Sequence, residues 1–315
     1  MARKPFSLWI DYIERDFLER DLPRYIDAGV VGATSNPAIF KEAFLKSKAY
    51  EAEKAKLGFK GKKLYEALAI SDVQKAADLF RPLFDRDEDG FVSIEVDPAH
   101  AHDAVSTIEE GKMLFKKIGR PNVMIKIPAT EAGYIAIKEL VKAKIPVNAT
   151  LVFGLDQTRK ILRAAAGAEA PVVISVFVSR FDRLLDGKLP AELKAKAGMM
   201  NAAAHYNLIE AAGEKNIRAL FASTGVKGDE LPASYYVTGL LADNSVNTAP
   251  PATIDAYLKT ADRQSRLPIA QSEIEAFFAA LGDQNVNFDA VCAELLQDGL
   301  TQFEKAFAEI LKSFE

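Results

Sequence analysis

Eight short apolar runs, each followed by a longer stretch of helical periodicity, restrict the possible folds of this chain more than any other feature. The runs are "SLWID" (7–11), "VVGATS" (30–35), "GFVSIEV" (90–96), "NVMIKIP" (122–128), "PVNATLVF" (146–153), "PVVISVFV" (171–178) and "IRALFAS" (217–223), with an eighth at "SYYVTG" (234–239) or just after it. Segments such as "AHAHDAVSTIEEGKMLFKKIG" and "GYIAIKELVKAK" lie between them and predict helices, the pattern of repeated βα units around a parallel sheet. No linker rich in Pro, Gly or Ser divides the series, so residues 1–315 read as one domain, a size within the range of α/β barrels. In the closing segment "LTQFEKAFAEILKSFE", Leu300, Phe303, Phe307, Ile310, Leu311 and Phe314 share one helix face, which predicts a helix packed back on the body.

Side-chain parity separates a closed barrel from an open sheet, because alternate strand residues point to opposite faces and a barrel interior admits polar groups near its catalytic end. Leu8 and Ile10 oppose Ser7, Trp9 and Asp11; Val92, Ile94 and Val96 oppose Ser93, Glu95 and Asp97; Val123, Ile125 and Ile127 oppose Met124, Lys126 and Pro128. Asn148 and Thr150 follow the same rule, as does Ser175 beside Phe177. Polar groups from several strands therefore converge on one interior.

Lys126 is the least expected member of that set, since lysine is among the residues least often buried. Desolvation lowers the pKa of a lysine from its ordinary ~10.4, exposing a neutral amine that attacks carbonyls and forms Schiff bases. Glu95 and Asp11 would supply proton transfers. A structural ion pair between Lys126 and Glu95 accounts for the same pattern.

Composition excludes other classes. A net charge of −4, from 40 basic and 44 acidic residues without a block of like charge, offers nothing to a nucleic acid or an anionic membrane. The longest apolar runs fall short of the ~18 to 20 residues of a membrane helix. One cysteine, Cys292, and an N-terminus without the apolar core of a signal peptide fit a cytoplasmic protein. The glycines form neither a GxGxxG nor a P-loop arrangement, and the histidines His100, His102 and His205 make no zinc pattern, so no cofactor or metal is expected. Cys292, in "AVCAELL", reads as a small core residue. The oligomeric state is left open.

The chain resembles the transaldolase family. The likeness runs from "SLWIDYIERDFLERDLPRYIDAGVVGATSNPAIF" through "DGFVSIEVDP", "NVMIKIPATEAG", "IPVNATLVF", "ISVFVSRFDRLLD", "LFASTGVKG" and "DNSVNTAPPATIDAY" to "VNFDAVCAELLQDGLTQFEKAF". It implies a (β/α)₈ barrel with additional helices that passes a dihydroxyacetone unit between sugar phosphates through a lysine Schiff base, without metal or cofactor, in the non-oxidative pentose phosphate pathway. Fructose 6-phosphate and erythrose 4-phosphate would exchange with sedoheptulose 7-phosphate and glyceraldehyde 3-phosphate. By this resemblance Lys126 is the Schiff-base lysine and Asp11 the base for the substrate C4 hydroxyl, while Glu95 works through a water beside Thr150. Asn36 and Asn148 would hold the dihydroxyacetone hydroxyls, and Ser175 and Phe177 would line the pocket. Taken alone, Asn36 before Pro37 also reads as a turn cap, and Phe177 as core. The resemblance puts the substrate phosphate at Arg180, Ser223 and Lys227; the best-known branch of the family has arginine near this serine, where this chain has Lys227.

Two other activities compete. An aldolase of the same barrel class would release free dihydroxyacetone. A calcium-binding module is raised by residues 85–96, where Asp85, Asp87, Asp89 and Gly90 take positions 1, 3, 5 and 6 of an EF-hand loop. Val96 stands where that loop needs a bidentate glutamate, and a solvated acidic turn is the plainer reading.

Overall fold

A computed structural model describes residues 4–315; residues 1–3, which open the N-terminal segment considered above, lie outside the described residues. Eight strands run in chain order: β1 Ser7–Ile10, β2 Val30–Thr34, β3 Val92–Glu95, β4 Val123–Pro128, β5 Val147–Val152, β6 Val172–Phe177, β7 Ile217–Ala222 and β8 Ser245–Ala249. Each pairs in parallel with the next, and β8 returns to β1, closing a (β/α)₈ barrel.

The predicted parity holds. Leu8, Ile10, Val92, Ile94, Val123, Ile125 and Ile127 belong to the core shared by strands and helices, whereas Trp9, Met124, Val173, Leu220 and Val246 form a second cluster inside the barrel. A register shift in β5 between Ala149 and Val152 places Leu151 at φ +56°, a conformation unusual for a branched side chain.

The eighth strand takes the second of its two expected places. "SYYVT" forms a short helix, Tyr235–Thr238, and the eighth strand lies just after it at "SVNTA". The aromatic pair that made the first segment strand-like is used for anchoring: Tyr236 donates its hydroxyl to Asp182 Oδ2 at 2.8 Å and Tyr235 to the Ala195 carbonyl at 2.9 Å.

Helix boundaries follow their caps. Asp103 Oδ1 accepts from the N–H groups of Val105 and Ser106 and starts the helix Ala104–Ile118, which ends at Gly119 with φ +62°. Thr130 starts Glu131–Lys142 in the same way. The C-terminal helix, Phe288–Ser313, begins upstream of its predicted start, where Asn287 caps it. Its apolar face docks as expected: Phe307 meets Tyr65 edge-on with ring centroids 4.7 Å apart, and Phe314 lies against Phe44. Gly299 permits a close approach to the barrel, since a Cβ there would come within 2.8 Å of Leu151 Cδ2.

The acidic run 85–89 is no calcium loop. Asp85 pairs with Arg81, Asp87 with Lys4, and Asp89 with Trp9 and Arg218, so the three carboxylates diverge to three sets of partners. Nor is it wholly solvated, because Asp89 is 2 % exposed under the amino ends of the strands. Among the described residues no group of His, Cys, Asp and Glu could hold a metal ion, and no helix is long and apolar enough to cross a membrane. His205 is buried: its Nε2–H donates to the Phe153 carbonyl, leaving Nδ1 to accept from Thr158, and burial pulls its pKa down to about 4.

Candidate active site

The carboxyl ends of the strands enclose a cavity of about 170 Å³, lined by Asp11, Asn36, Lys126, Ser175, Phe177, Arg180 and Ser223. Barrel enzymes carry their chemistry at this end. Glu95, Asn148 and Thr150 are not on its wall; they lie buried beside and beneath it.

Register builds the centre. Glu95, Lys126 and Asn148 are direct partners across β3, β4 and β5. The Lys126 side chain is 6 % exposed; its Nζ donates to the Ser35 carbonyl at 3.2 Å and stands 3.7 Å from Glu95 Oε2. That separation is an ion-pair distance without a hydrogen bond, and it leaves Glu95 Oε2 with no partner. A pair retained for structure alone needs its remaining polar atoms satisfied to offset desolvation. The open geometry and the cavity over the ammonium favour a reactive site. Burial pushes the Glu95 carboxyl up to about 7 against the ammonium of Lys126, with the charge of Asp11 adding to the rise.

Asp11 follows β1, held by its own N–H on the Ala249 carbonyl at 2.8 Å. Burial raises its carboxyl above the ordinary range, opposed by the charge of Lys126 and a hydrogen bond from Thr34 Oγ1 to Oδ1 at 2.6 Å. Thr34 Oγ1 also meets Thr248 Oγ1 at 2.7 Å. A hydroxyl has one proton, so with Asp11 ionised the order is forced: Thr248 donates to Thr34, and Thr34 to Asp11.

Asn148 is locked between its neighbours, accepting from Ser175 Oγ at 2.6 Å and donating to Ser93 Oγ at 3.1 Å. Thr150 is fully buried, and its hydroxyl has no partner. Asn36 serves two ends: its Oδ1 caps the helix Pro37–Lys46 by accepting from the Ile39 N–H at 3.0 Å, and the residue lines the cavity. Phe177 is 5 % exposed and likewise belongs to both core and cavity wall.

At the far side of the cavity Arg180 lies over the Phe177 ring at 5.1 Å. Its nearest carboxylate is Asp298, 3.8 Å away, and its buried Nη1 has no acceptor. Ser223, at φ +57°, shares a hydrogen bond with Ser179 and faces the same space. Lys227 stands exposed on the following loop, outside the cavity wall.

Sequence patterns missed four contributors. Thr34 and Thr248 hold Asp11, and Gln302 and Phe303 of the C-terminal helix close the cavity, with the Phe303 ring 5.9 Å from Lys126 Nζ. Parity within "VVGATS" could have found Thr34. Cys292 is buried, its thiol pushed up to about 12 by burial, which suits packing rather than nucleophilic attack.

The chain matches the family described as transaldolase/fructose-6-phosphate aldolase over residues 8–314. A protein of Helicobacter pylori (strain Shi470) named transaldolase is 46 % identical over 313 residues, covering 98 % of this chain and 99 % of the relative. One of Campylobacter jejuni (serotype O:23/36, strain 81-176), with the same name, is 46 % identical over 328 residues, again covering 98 % and 99 %. With so much of both lengths aligned, the chain belongs to the transaldolase/fructose-6-phosphate aldolase family.

Proposed function

We propose that this protein is a transaldolase that carries a dihydroxyacetone unit on Lys126. The observation that carries the reading is the buried Lys126 amine under a cavity, 3.7 Å from a carboxyl poised near neutrality. The amine adds to the ketone carbon of fructose 6-phosphate. Glu95 gives and takes the protons of addition and dehydration, with a water at the unpartnered Thr150 hydroxyl as the intermediary. Asp11 removes the C4 hydroxyl proton, the C3–C4 bond breaks, and glyceraldehyde 3-phosphate departs. Asn36, Asn148 and Ser175 hold the remaining enamine until erythrose 4-phosphate arrives. Reversal of the steps forms the new bond and releases sedoheptulose 7-phosphate.

Arg180 and Ser223 take the substrate phosphate. The orphaned Nη1 of Arg180 supports this assignment, since a buried guanidinium N–H without an acceptor is costly until an anion arrives. The position of Lys227 leaves it a peripheral charge. The activity belongs to the pentose phosphate pathway in the cytoplasm.

Borohydride added with fructose 6-phosphate tests the chemistry: peptide mapping is expected to find the reduced adduct on Lys126. An adduct on another lysine, or none, overturns the mechanism. Product formation with and without erythrose 4-phosphate tests the transfer. Strong dependence on this acceptor is expected, and equal aldehyde release without it makes the protein an aldolase.

A further inference from the structure

A second cavity, also of about 170 Å³, lies at the opposite end of the barrel, under the amino ends of the strands. Its inner wall includes Phe84, Phe91, Met124 and Val173, with Phe84 and Phe91 edge-on at 5.3 Å between ring centroids. An apolar cavity of ~150 Å³ is known to hold one benzene, so this space takes a single aromatic ring with a small substituent.

The polar side of the cavity carries a charge imbalance. Arg218 and Asp89, both buried, pair at 3.0 Å, yet Arg218 Nε and Asp89 Oδ1 have no partners. At the mouth Asp87 holds Lys4 at 2.9 Å. Lys215 also lines the cavity, and among the described residues no carboxylate pairs with it. Each carboxylate thus holds a cation through one oxygen, while the Lys215 ammonium has no carboxylate partner among the described residues.

We propose that the barrel floor is a binding site for a small aromatic monocarboxylate, with its ring against Phe84, Phe91 and Met124 and its carboxylate at Lys215. The site is separate from the sugar-phosphate cavity and independent of the reaction assigned to it. Neutral rings would lose the ion pair, and cationic ones would meet the Lys215 ammonium.

The protein contains its own reporter. Trp9, the only tryptophan, donates its indole N–H to Asp89 at 3.0 Å and packs against Phe91. A ring seated on Phe91 changes the surroundings of that indole.

The experiment is a titration of the intact protein with phenylacetate, read by tryptophan emission, with phenylacetamide and phenethylamine in parallel. A saturable change with a dissociation constant of about 0.1 to 1 mM is expected for a ligand of this size. The amide and the amine should bind about tenfold more weakly. Lys215→Ala, at an exposed position, should weaken phenylacetate about tenfold and abolish its advantage over the amide, while saturating fructose 6-phosphate leaves the signal unchanged. Absence of a saturable change overturns the proposal. So does equal binding of the three probes, indifference to Lys215→Ala, or displacement by fructose 6-phosphate, which would put phenylacetate in the phosphate site at Arg180.

Discussion

Glu95 stands opposite Lys126 across the β3–β4 ladder, its Oε2 3.7 Å from the ammonium and without a hydrogen-bond partner. A carboxyl held this way exchanges protons near neutrality, where its pKa of about 7 places it. The same rise has a sign for stability. A folded-state pKa above the ordinary 4.5 gives a contribution that is full below pH 4.5 and is lost as the pH climbs through about 7.

Imine formation should depend on pH through Glu95. Dehydration of the carbinolamine needs an acid, so the rate of imine formation should fall as the pH rises through about 7, where Glu95 loses its proton. Glu95→Gln should remove that limb and slow borohydride-trappable imine formation by about 10². Rapid-quench mass measurement across pH is the check; a limb that survives in Glu95→Gln belongs to another group.

The proposed mechanism gives Asp11 a separate task. Asp11→Asn keeps the shape of the side chain and loses the base, so imine formation should proceed while carbon bond cleavage stalls. The intact six-carbon adduct is then expected to accumulate on Lys126, whereas Glu95→Gln should accumulate little of any adduct. If quenched samples of the two variants hold the same species in equal amount, the carboxylates do not divide the work.

Arg180 and Lys227 should separate in steady-state kinetics. Removing a charge-assisted hydrogen bond to phosphate costs ~1.5 to 3 kcal/mol, so Arg180→Ala should raise KM for fructose 6-phosphate about 10- to 100-fold. Lys227→Ala, at an exposed loop position, should change it by less than about threefold. The reverse ranking would move the phosphate toward the loop.

Thr248 acts through Thr34. Thr248→Val removes the hydroxyl that donates to Thr34 Oγ1 while keeping the volume of the side chain. Thr34, freed to turn toward other acceptors, then supports Asp11 less well, so the carboxyl pKa should rise further. The ascending limb of the cleavage rate is expected to shift to higher pH and kcat to fall about tenfold, with KM unchanged and Thr248→Ser restoring both. Identical behaviour of the valine and serine variants would show that the hydroxyl is idle.

The barrel was legible in the chain because its strands alternate so regularly: one face of β1, β3 and β4 meets the helices and the other the interior. That rule places Asp11, Glu95, Lys126 and Asn148 on the interior face. Thr34 obeys it too but is inconspicuous in a run of glycine, alanine and valine. Thr248 was hidden differently, since "SVNTA" has one β-branched apolar residue and the neighbouring "SYYVT" is richer in strand-forming types. Tertiary hydrogen bonds from its tyrosines override that propensity. Helical periodicity marked Phe303 as buried without naming its neighbour, because the fold-back of the C-terminal helix over the barrel mouth is set by contacts distant in sequence. Asp89 looked solvated for a similar reason: its partners, Trp9 and Arg218, come from β1 and β7.

The C-terminal helix that supplies Gln302 and Phe303 follows all eight strands, so a ribosome delivers Lys126 before it delivers this part of the cavity wall. Its 26 residues occupy about 1 to 5 s of synthesis. Without that helix in its place, a barrel of eight paired strands lacks the Gln302 and Phe303 side of the cavity around the Lys126 amine. Docking of Phe303, Phe307 and Ile310 brings that side into place. The side of the cavity that would screen the Lys126 amine from stray carbonyls is therefore contributed by the last helix in chain order, not by the strands that carry the amine.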